Sequence, residues 1–317
     1  MGGYRCDRLR CGSTFYAARS ALRRKHSDNA VKRLLAGAII LAVGVGQAHA
    51  VCPAPAADAS RIVSAGGSVT EIIYALGAES QLVAVDTTSN FPSAAAELPS
   101  VGYVRALSTE GMLSTGPTLI LGEDDMGPPE VLSQLQSLGI ELSVIPEVWS
   151  GEGILTKVQC VSSIVGADRR SSDALVGSLQ EHLDELSARR SQIDKPIRAA
   201  LLLALRDGVP TAAGSETSGN GVLEMAGLTN VFADFEGWKP IAPEAMIEQD
   251  PEVIFIPQRS AKAAGGIDAV IADPIIELTS AGSSKRVLAV DGMALLGFGP
   301  RTIATAAQIS EFAQSDD

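Results

Sequence analysis

The sequence predicts an α/β fold of two Rossmann-like lobes, each built on a mainly parallel sheet, joined by one long α-helix. Three observations lead there. Short apolar runs alternate with helical patterns along the chain, which is how parallel strands and their crossover helices read. A block of sequence recurs at a fixed offset. Between its copies lies a helix-patterned stretch free of Pro and holding a single Gly.

The recurring block is Glu-Gly-Met-Leu-Ser-Thr-Gly-Pro-Thr-Leu-Ile-Leu at 110–121 and Glu-Ala-Met-Ile-Glu-Gln-Asp-Pro-Glu-Val-Ile-Phe at 244–255. Glu, Met, an aliphatic residue, Pro and an apolar strand stand at matching places, offset by 134, so the two lobes have related topology. A weaker echo pairs residues 72–78 with 222–228, each a short amphipathic helix ended by Gly77 or Gly227, the residue a helix C-terminus favours. The linking stretch, Asp168 to Asp194, spaces Leu175, Leu179, Leu183 and Leu186 along one face, as an amphipathic helix does. Such a helix resists bending, so the cleft between the lobes is expected to be preformed and to close only slightly.

In the first lobe, residues 61–64 read as a strand. Gly66-Gly67-Ser68 is a turn with Ser68 capping a helix over 68–76, and 82–85 is a second strand. A loop follows from Asp86 to Val104. Helix 109–113, strand 118–121, helix 129–138 and strand 141–145 complete the lobe. The expected boundaries are 1–50 for an export signal, 51–148 for the N-terminal lobe, 149–196 for a helical segment and 197–317 for the C-terminal lobe.

The signal is read from Val31-Lys32-Arg33, an apolar run over 34–46, and Ala48-His49-Ala50: a charged start, an apolar middle and an A-x-A cleavage site. The apolar run is shorter than the ~18–20 residues a permanent span needs. Residues 1–30 do not belong to that pattern; either they precede the true start, for which Val31 is the candidate, or they form a long charged leader. Nine of the 25 basic and two of the 37 acidic residues lie in 1–50, so the remainder carries a net charge near −19. Such a surface repels nucleic acid and anionic membranes. Cys52 and Cys160 follow the signal; they either form a bridge in an oxidising compartment or leave Cys160 as a small buried residue on the helix face of Ile154, Val158, Val161 and Ile164. Cys52 lacks the small-residue pattern of a lipoprotein signal before it.

After the signal there is one histidine, His182, on the linking helix, where an ordinary helix position accounts for it. No Ser-His or Cys-His pair and no multi-histidine metal site can form. No nucleophile elbow, P-loop or dinucleotide fingerprint stands in a strand-to-helix context. A periplasmic enzyme would have to use Asp124 and Asp125 as acid and base, although the pair also reads as a solvated loop. Tyr74 falls on the helix 68–76 with Ile72 and Ile73, a core position. Tyr103, in Gly102-Tyr103-Val104-Arg105, lies where ligands gather in parallel-sheet proteins.

Residues 61–64 through Val85-Asp86, Gly-Tyr-Val-Arg-Ala-Leu-Ser-Thr-Glu-Gly at 102–111, Gly127-Pro128-Pro129 and Leu-Gly-Phe-Gly-Pro-Arg-Thr at 296–302 resemble the periplasmic haemin-binding proteins of bacterial haem ABC importers. Broader relatives of that class take corrinoids, siderophores or metal ions, and a corrinoid or ferric-siderophore carrier is the second reading. Trp149 and Trp238 are few for the aromatic walls it would need. The resemblance implies Tyr103 as axial ligand to ferric haem iron. A phenolate suits that hard Lewis acid, and because a free phenol ionises near ~10 a neighbouring cation helps. Arg105 is the candidate: if the loop is extended, 103 and 105 point to one side, and the guanidinium meets the phenolate or a propionate. A turn tyrosine beside a surface arginine is the plain alternative.

For the opposite wall the candidates are Ser215 and Thr217, whose small-residue loop also reads simply as a loop. Some members of the family add a histidine from that lobe; this chain has none there, which implies a single haem held by Tyr103. The resemblance further implies that Glu110 and Glu244 dock on arginines of a two-fold symmetric permease. Each also suits the first turn of a helix. The expected partners are haem, an inner-membrane ABC permease with its ATPase, and an outer-membrane haem receptor system. No nucleic acid is expected, and the chain is expected to be a periplasmic monomer.

Overall fold

The computed structural model describes residues 52–193 and 195–315. The export signal, Cys6, Cys11, the candidate start Val31 and the cleavage site lie outside the described residues. The first lobe runs β1 (Ile62–Ala65), α1 (Gly67–Ala75), β2 (Leu82–Val85), α2 (Thr109–Leu113), β3 (Leu119–Glu123), α3 (Pro129–Ser137) and β4 (Glu141–Ile145). Its strands pair in parallel in the order β2-β1-β3-β4. Every residue of β1 and β3 is buried, as strands covered by helices on both faces must be. Edge strand β4 is only partly buried.

Two helices follow, α4 (Gly151–Val165) and α5 (Arg169–Arg190). Asp168 caps α5 by accepting from Ser171 N at 3.2 Å. Leu179 and Leu186 are buried, and Leu175 and Leu183 pack partly buried beside them, so the leucine stripe faces the core as the spacing predicts.

The second lobe holds β5 (Arg198–Arg206), β6 (Val209–Ala213), α6 (Ser218–Met225), β7 (Thr229–Asn230), β8 (Trp238–Pro240), α7 (Pro243–Gln249) and β9 (Val253–Pro257). Four short helices come next: α8 (Gln258–Ala263), α9 (Ile267–Ile271), α10 (Pro274–Glu277) and α11 (Ser280–Ser283). The chain ends in β10 (Val287–Val290), α12 (Gly292–Leu296) and α13 (Pro300–Gln314). Here the sheet, ordered β10-β9-β5-β6-β8, is mixed: β9 pairs with β10 and β5 in parallel, while β5–β6 and β6–β8 are antiparallel. The cause is local. Asp207 and Gly208 both take positive φ, 51° and 74°, the two-residue turn that folds a hairpin.

The repeat is structural. Met112 and Met246 are fully buried beneath α2 and α7. Gly116 and Asp250, at matching places, both adopt left-handed backbone before the prolines that start the next strand. An arginine clamps each of these corners: Arg61 donates to the carbonyls of Thr115 and Gly116, both at 2.6 Å, and Arg198 donates to the carbonyl of Gln249. The backbone amides of the same arginines bond to the matching side chains of Thr118 and Glu252.

Each lobe has an outer core of its own, but the largest apolar cluster is shared. It runs from Ile62 and Ile72 through Val158, Leu179 and Leu186 to Leu201, Phe255 and Phe298. Cys52 and Cys160 form a disulfide, with Cα atoms 5.0 Å apart, and Cys160 is also buried on the α4 face; both readings of that residue hold together. The bridge closes a loop of 108 residues, worth about 5 kcal/mol in the chain-entropy model. Replacing Cys52 with serine is therefore expected to lower the unfolding free energy by about 2–5 kcal/mol in urea titrations. An unchanged midpoint would show that the unfolded chain is already compact around that loop.

Candidate functional site in the interlobe cleft

The cleft is built where the C-terminal ends of β1, β2 and β3 meet the loop between β10 and α13. After β1 the chain turns at Gly66-Gly67. A side chain at Gly67 would lie 2.5 Å from the Thr88 carbonyl oxygen, so only glycine lets the two segments approach. Asp86, buried at the end of β2, ties this corner by accepting from Gly66 N, Thr88 N and the hydroxyls of Thr88 and Ser89. Gly66, not Ser68, occupies the cap position of α1, and Ser68 instead turns its hydroxyl to Glu123.

Tyr103 stands at the rim, 47 % exposed. Its carbonyl accepts from Ala106 N at 2.8 Å, so the segment is a turn rather than the extended loop expected. Two backbone bonds, Gly127 N to Val104 O and Leu107 N to Gly127 O, stitch that turn to the loop before α3, which explains the Gly127-Pro128-Pro129 stretch. Tyr103 and Arg105 nonetheless line one hollow of 170 Å³, together with Thr88, Glu147 and, from the other lobe, Met293, Leu296 and Gly297. Arg105 is paired with Asp125 at 2.7 and 2.9 Å, and that bond holds its guanidinium above the usual range. The geometry thus gives Arg105 a carboxylate partner in place of the phenolate.

The other expected residues sit differently. Thr217 is buried and caps α6, accepting from Asn220 N at 3.0 Å and donating to Gly214 O at 2.7 Å. Both of these hydrogen bonds commit its hydroxyl to the fold of α6, where a wall position had been expected. Ser215 donates to Phe235 O at 2.9 Å. Neither lines the Tyr103 hollow. Glu110 and Glu244 are both exposed in the first turns of α2 and α7. Asp124 accepts from Glu147 N at 3.4 Å. His182 lines a separate hollow of 460 Å³ with Tyr74, Phe91 and Arg301, and no cluster of three His, Cys, Asp or Glu able to hold a metal ion occurs among the described residues.

Two interlobe contacts escape a reading by residue type. Lys157, fully buried on α4, bonds to Glu123 and Glu147, to Ser68 Oγ at 3.2 Å, and across the cleft to Gly297 O at 3.3 Å. Burial pushes the Glu123 carboxyl up to about 7 against the pull of Lys157. Burial also works against the Lys157 charge, but the two carboxylates outweigh it and hold the ammonium above its usual range. Glu147 in turn accepts from Trp149 Nε1 at 2.9 Å. The second contact is Arg301, whose backbone N and Nε both donate to Glu71 at 2.8 Å while the guanidinium reaches Asp291 at 3.2 Å and covers the Phe91 ring at 4.0 Å. Burial raises the Glu71 carboxyl despite Arg301. The signal for both was a charged residue inside an apolar helix pattern.

The family model for periplasmic binding proteins matches residues 62–293. The chain belongs to that family. Among solved structures it is similar to the periplasmic haem-binding protein RhuT of Roseiflexus sp. RS-1 in apo form, with 31% identity, a TM-score of 0.76, and 80% of this chain and 97% of that one covered. It is also similar to the periplasmic haem-binding protein HutB of Vibrio cholerae, with 37% identity, a TM-score of 0.73, and 81% and 100% covered. The vitamin B12-binding protein of Vibrio cholerae is 28% identical over 198 residues, 62% of this chain and 70% of that protein. The curated relatives are matched over 63 to 70% of their own length. These relatives carry binding and transport names, none of them an enzyme's.

The buried ion cluster around Lys157, next to the Tyr103 hollow, makes stability depend on pH. The Glu123 pKa is raised from 4.5 to about 7 on folding, so between those values the native state holds more protons than the unfolded one. Stability therefore falls as pH rises through that window and levels above it. Urea unfolding at a series of pH values should show wild type losing up to ~1.4 kcal/mol per pH unit relative to Glu123→Gln, which cannot titrate. Parallel curves for the two proteins would mean that Glu123 is ionised throughout.

Proposed function

We propose that this chain is a periplasmic carrier that takes ferric haem at Tyr103 in the interlobe cleft and presents it to an inner-membrane ABC permease and its ATPase. The observation that carries the reading is Tyr103 itself: a half-exposed phenol on a turn pinned from both sides, at a hollow it shares with Met293, Leu296 and Gly297 at the end of α12. A phenolate is among the few protein ligands suited to ferric porphyrin iron. The names of the solved relatives, haem-binding proteins at 31 and 37% identity, support it.

The 170 Å³ hollow is below the ~300–1,000 Å³ of typical small-molecule sites, so the macrocycle sits at the open mouth with an edge toward solvent. Arg105 serves a propionate by exchanging its Asp125 partner. In the second lobe a cation stands at the place that matches Asp125: Arg259, 134 residues on, is exposed in the first turn of α8 just after β9. Ser215 remains a candidate through its half-buried hydroxyl. Glu110 and Glu244, placed alike on α2 and α7, dock on the permease. The leader over 1–50 exports the chain, an outer-membrane receptor delivers haem to it, and it works as a monomer without chemical conversion of its ligand.

The second reading is a corrinoid carrier, favoured by the 28% identity to the vitamin B12-binding protein. An absorption titration of residues 51–317 with ferric haem, run in parallel with cyanocobalamin, separates the two. Saturation at one equivalent of haem with a high-spin tyrosinate-type spectrum is expected. Tyr103→Ala should abolish that spectrum and weaken binding by about 100-fold or more, since even residues that only support a metal ligand contribute about 10- to 100-fold. A change in cobalamin spectrum with none in haem would establish the corrinoid reading instead. Asp125→Asn, which frees Arg105, is expected to tighten haem binding by about 2- to 5-fold, the worth of an exposed ion pair. Weaker binding in that variant would place Arg105 in a supporting role only.

A further inference from the structure

The faces of α2 and α7 carry more than the two glutamates. Leu113 and Ile247 occupy matching places in the 134-residue repeat and are 37 % and 40 % exposed. Each lies three residues after its glutamate, on the same side of the helix. Beside each stands a second exposed aliphatic residue, on a neighbouring helix of unrelated sequence.

In the first lobe α2 and α3 each lead directly into a strand of the same parallel sheet, so they run side by side in the same direction. They touch where Thr109 Oγ1 donates to Gln134 Oε1 at 2.6 Å. One helical turn further on, each presents a leucine, Leu113 and Leu138, the latter 56 % exposed. In the second lobe α7 packs against α10, and the Asp250 carboxylate accepts from Ser280 N at 2.6 Å and Ser280 Oγ at 2.8 Å. Ile247 precedes Asp250 by three residues, and Leu278 precedes Ser280 by two. Leu278 is 68 % exposed, the most exposed large apolar side chain among the described residues. Leu138 and Leu278 are alike in position too, each being the C-cap of its helix.

We infer that each lobe carries an apolar anchor beside its glutamate, Leu113 with Leu138 and Ile247 with Leu278, and that the two anchors seat in apolar depressions flanking a cation on each half of a two-fold symmetric permease. Single exposed leucines need no explanation. The same Glu-plus-two-aliphatics arrangement in both lobes, one member of each pair lying outside the sequence repeat, does. A pseudo-two-fold arrangement of acid and apolar groups is complementary to a two-fold partner with cations. An anionic membrane surface is excluded by the net charge near −19 of residues 51–317. The division of labour follows from the chemistry: the glutamates steer and orient, and the aliphatic pairs supply the salt-insensitive part of the affinity.

The inference rests on the permease-docking reading, and one experiment separates the two. Binding of the protein, with and without haem, to the permease–ATPase complex in nanodiscs is measured at low and high salt. Three double variants are compared: Glu110→Gln with Glu244→Gln, Leu113→Ser with Ile247→Ser, and Leu138→Ser with Leu278→Ser. The glutamate pair is expected to weaken binding mainly at low salt. Each aliphatic pair should weaken it about tenfold at both salt concentrations, with thermal midpoint and haem titration unchanged. If the glutamate variant weakens and the aliphatic variants stay within about twofold of wild type, the anchors are not part of the interface and the inference fails alone. If none of the three weakens, docking through these helices fails with it. A concentration-dependent dimer abolished by the serine variants, or vesicle binding without permease that they abolish, would reassign the patches to a second copy or to lipid and overturn the inference.

Discussion

The junction between the two lobes depends on Lys157. An ammonium removed from water is tolerable only where opposite charge and hydrogen-bond acceptors surround it closely. Here Glu123 at the end of β3, Glu147 after β4, Ser68 on α1 and the Gly297 carbonyl of the second lobe all converge on it. Three segments of one lobe and one of the other are therefore held at fixed distances by a single group on α4. Taking away one partner strands charge in the interior, whereas replacing the whole set with apolar side chains of similar volume can be neutral. The arrangement is better understood as fixing geometry than as adding stability. What it fixes is the floor on which the Tyr103 turn and the C-terminal end of α12 face each other.

The Leu-Gly-Phe-Gly-Pro-Arg-Thr stretch at 296–302 takes its meaning from the same junction. Phe298 is buried with positive φ. Gly299 passes so close to Ser68 that an added Cβ would lie 3.2 Å from its side chain, and Arg301 closes on Glu71 and Phe91. This stretch joins the lobes beside the cleft. Arg105 shows the complementary situation at the front, where an exposed ion pair with Asp125 is weak enough to be exchanged.

Much of the architecture was legible because it rests on periodicity. The 134-residue repeat, the leucine stripe of α5 and the fully apolar strands are patterns that burial alone imposes. Helix 109–113 and strands 82–85 and 141–145 fall where they were expected. The antiparallel hairpin was missed, although Asp207-Gly208 is a strong turn signal, because the segment leading to Ser215 and Thr217 was read as a loop. The site was legible at Tyr103 and less so elsewhere. Thr217 looked available to a ligand by composition, yet a threonine just before a helix is more often its cap. Lys157 stands out in sequence as a charge within the apolar pattern of α4, but its role could be recognised only with tertiary structure in hand, since its partners lie 34, 10, 89 and 140 residues away. Arg61 and Arg198, each at the start of the first strand of its lobe, form a pair that lies outside the 134-residue register of the repeat.

The shared apolar cluster bears on how such a chain can change over time. Its members come from both sheets and from the two helices between them, so neither lobe has a complete interior without the other. A lobe cut from this chain and grafted onto another would expose the faces of α4, α5 and α13 that normally close on each other. New ligand preferences in this architecture must therefore arise by replacement of side chains at the cleft mouth, where Tyr103 and its neighbours are solvent-facing, and not by exchange of halves.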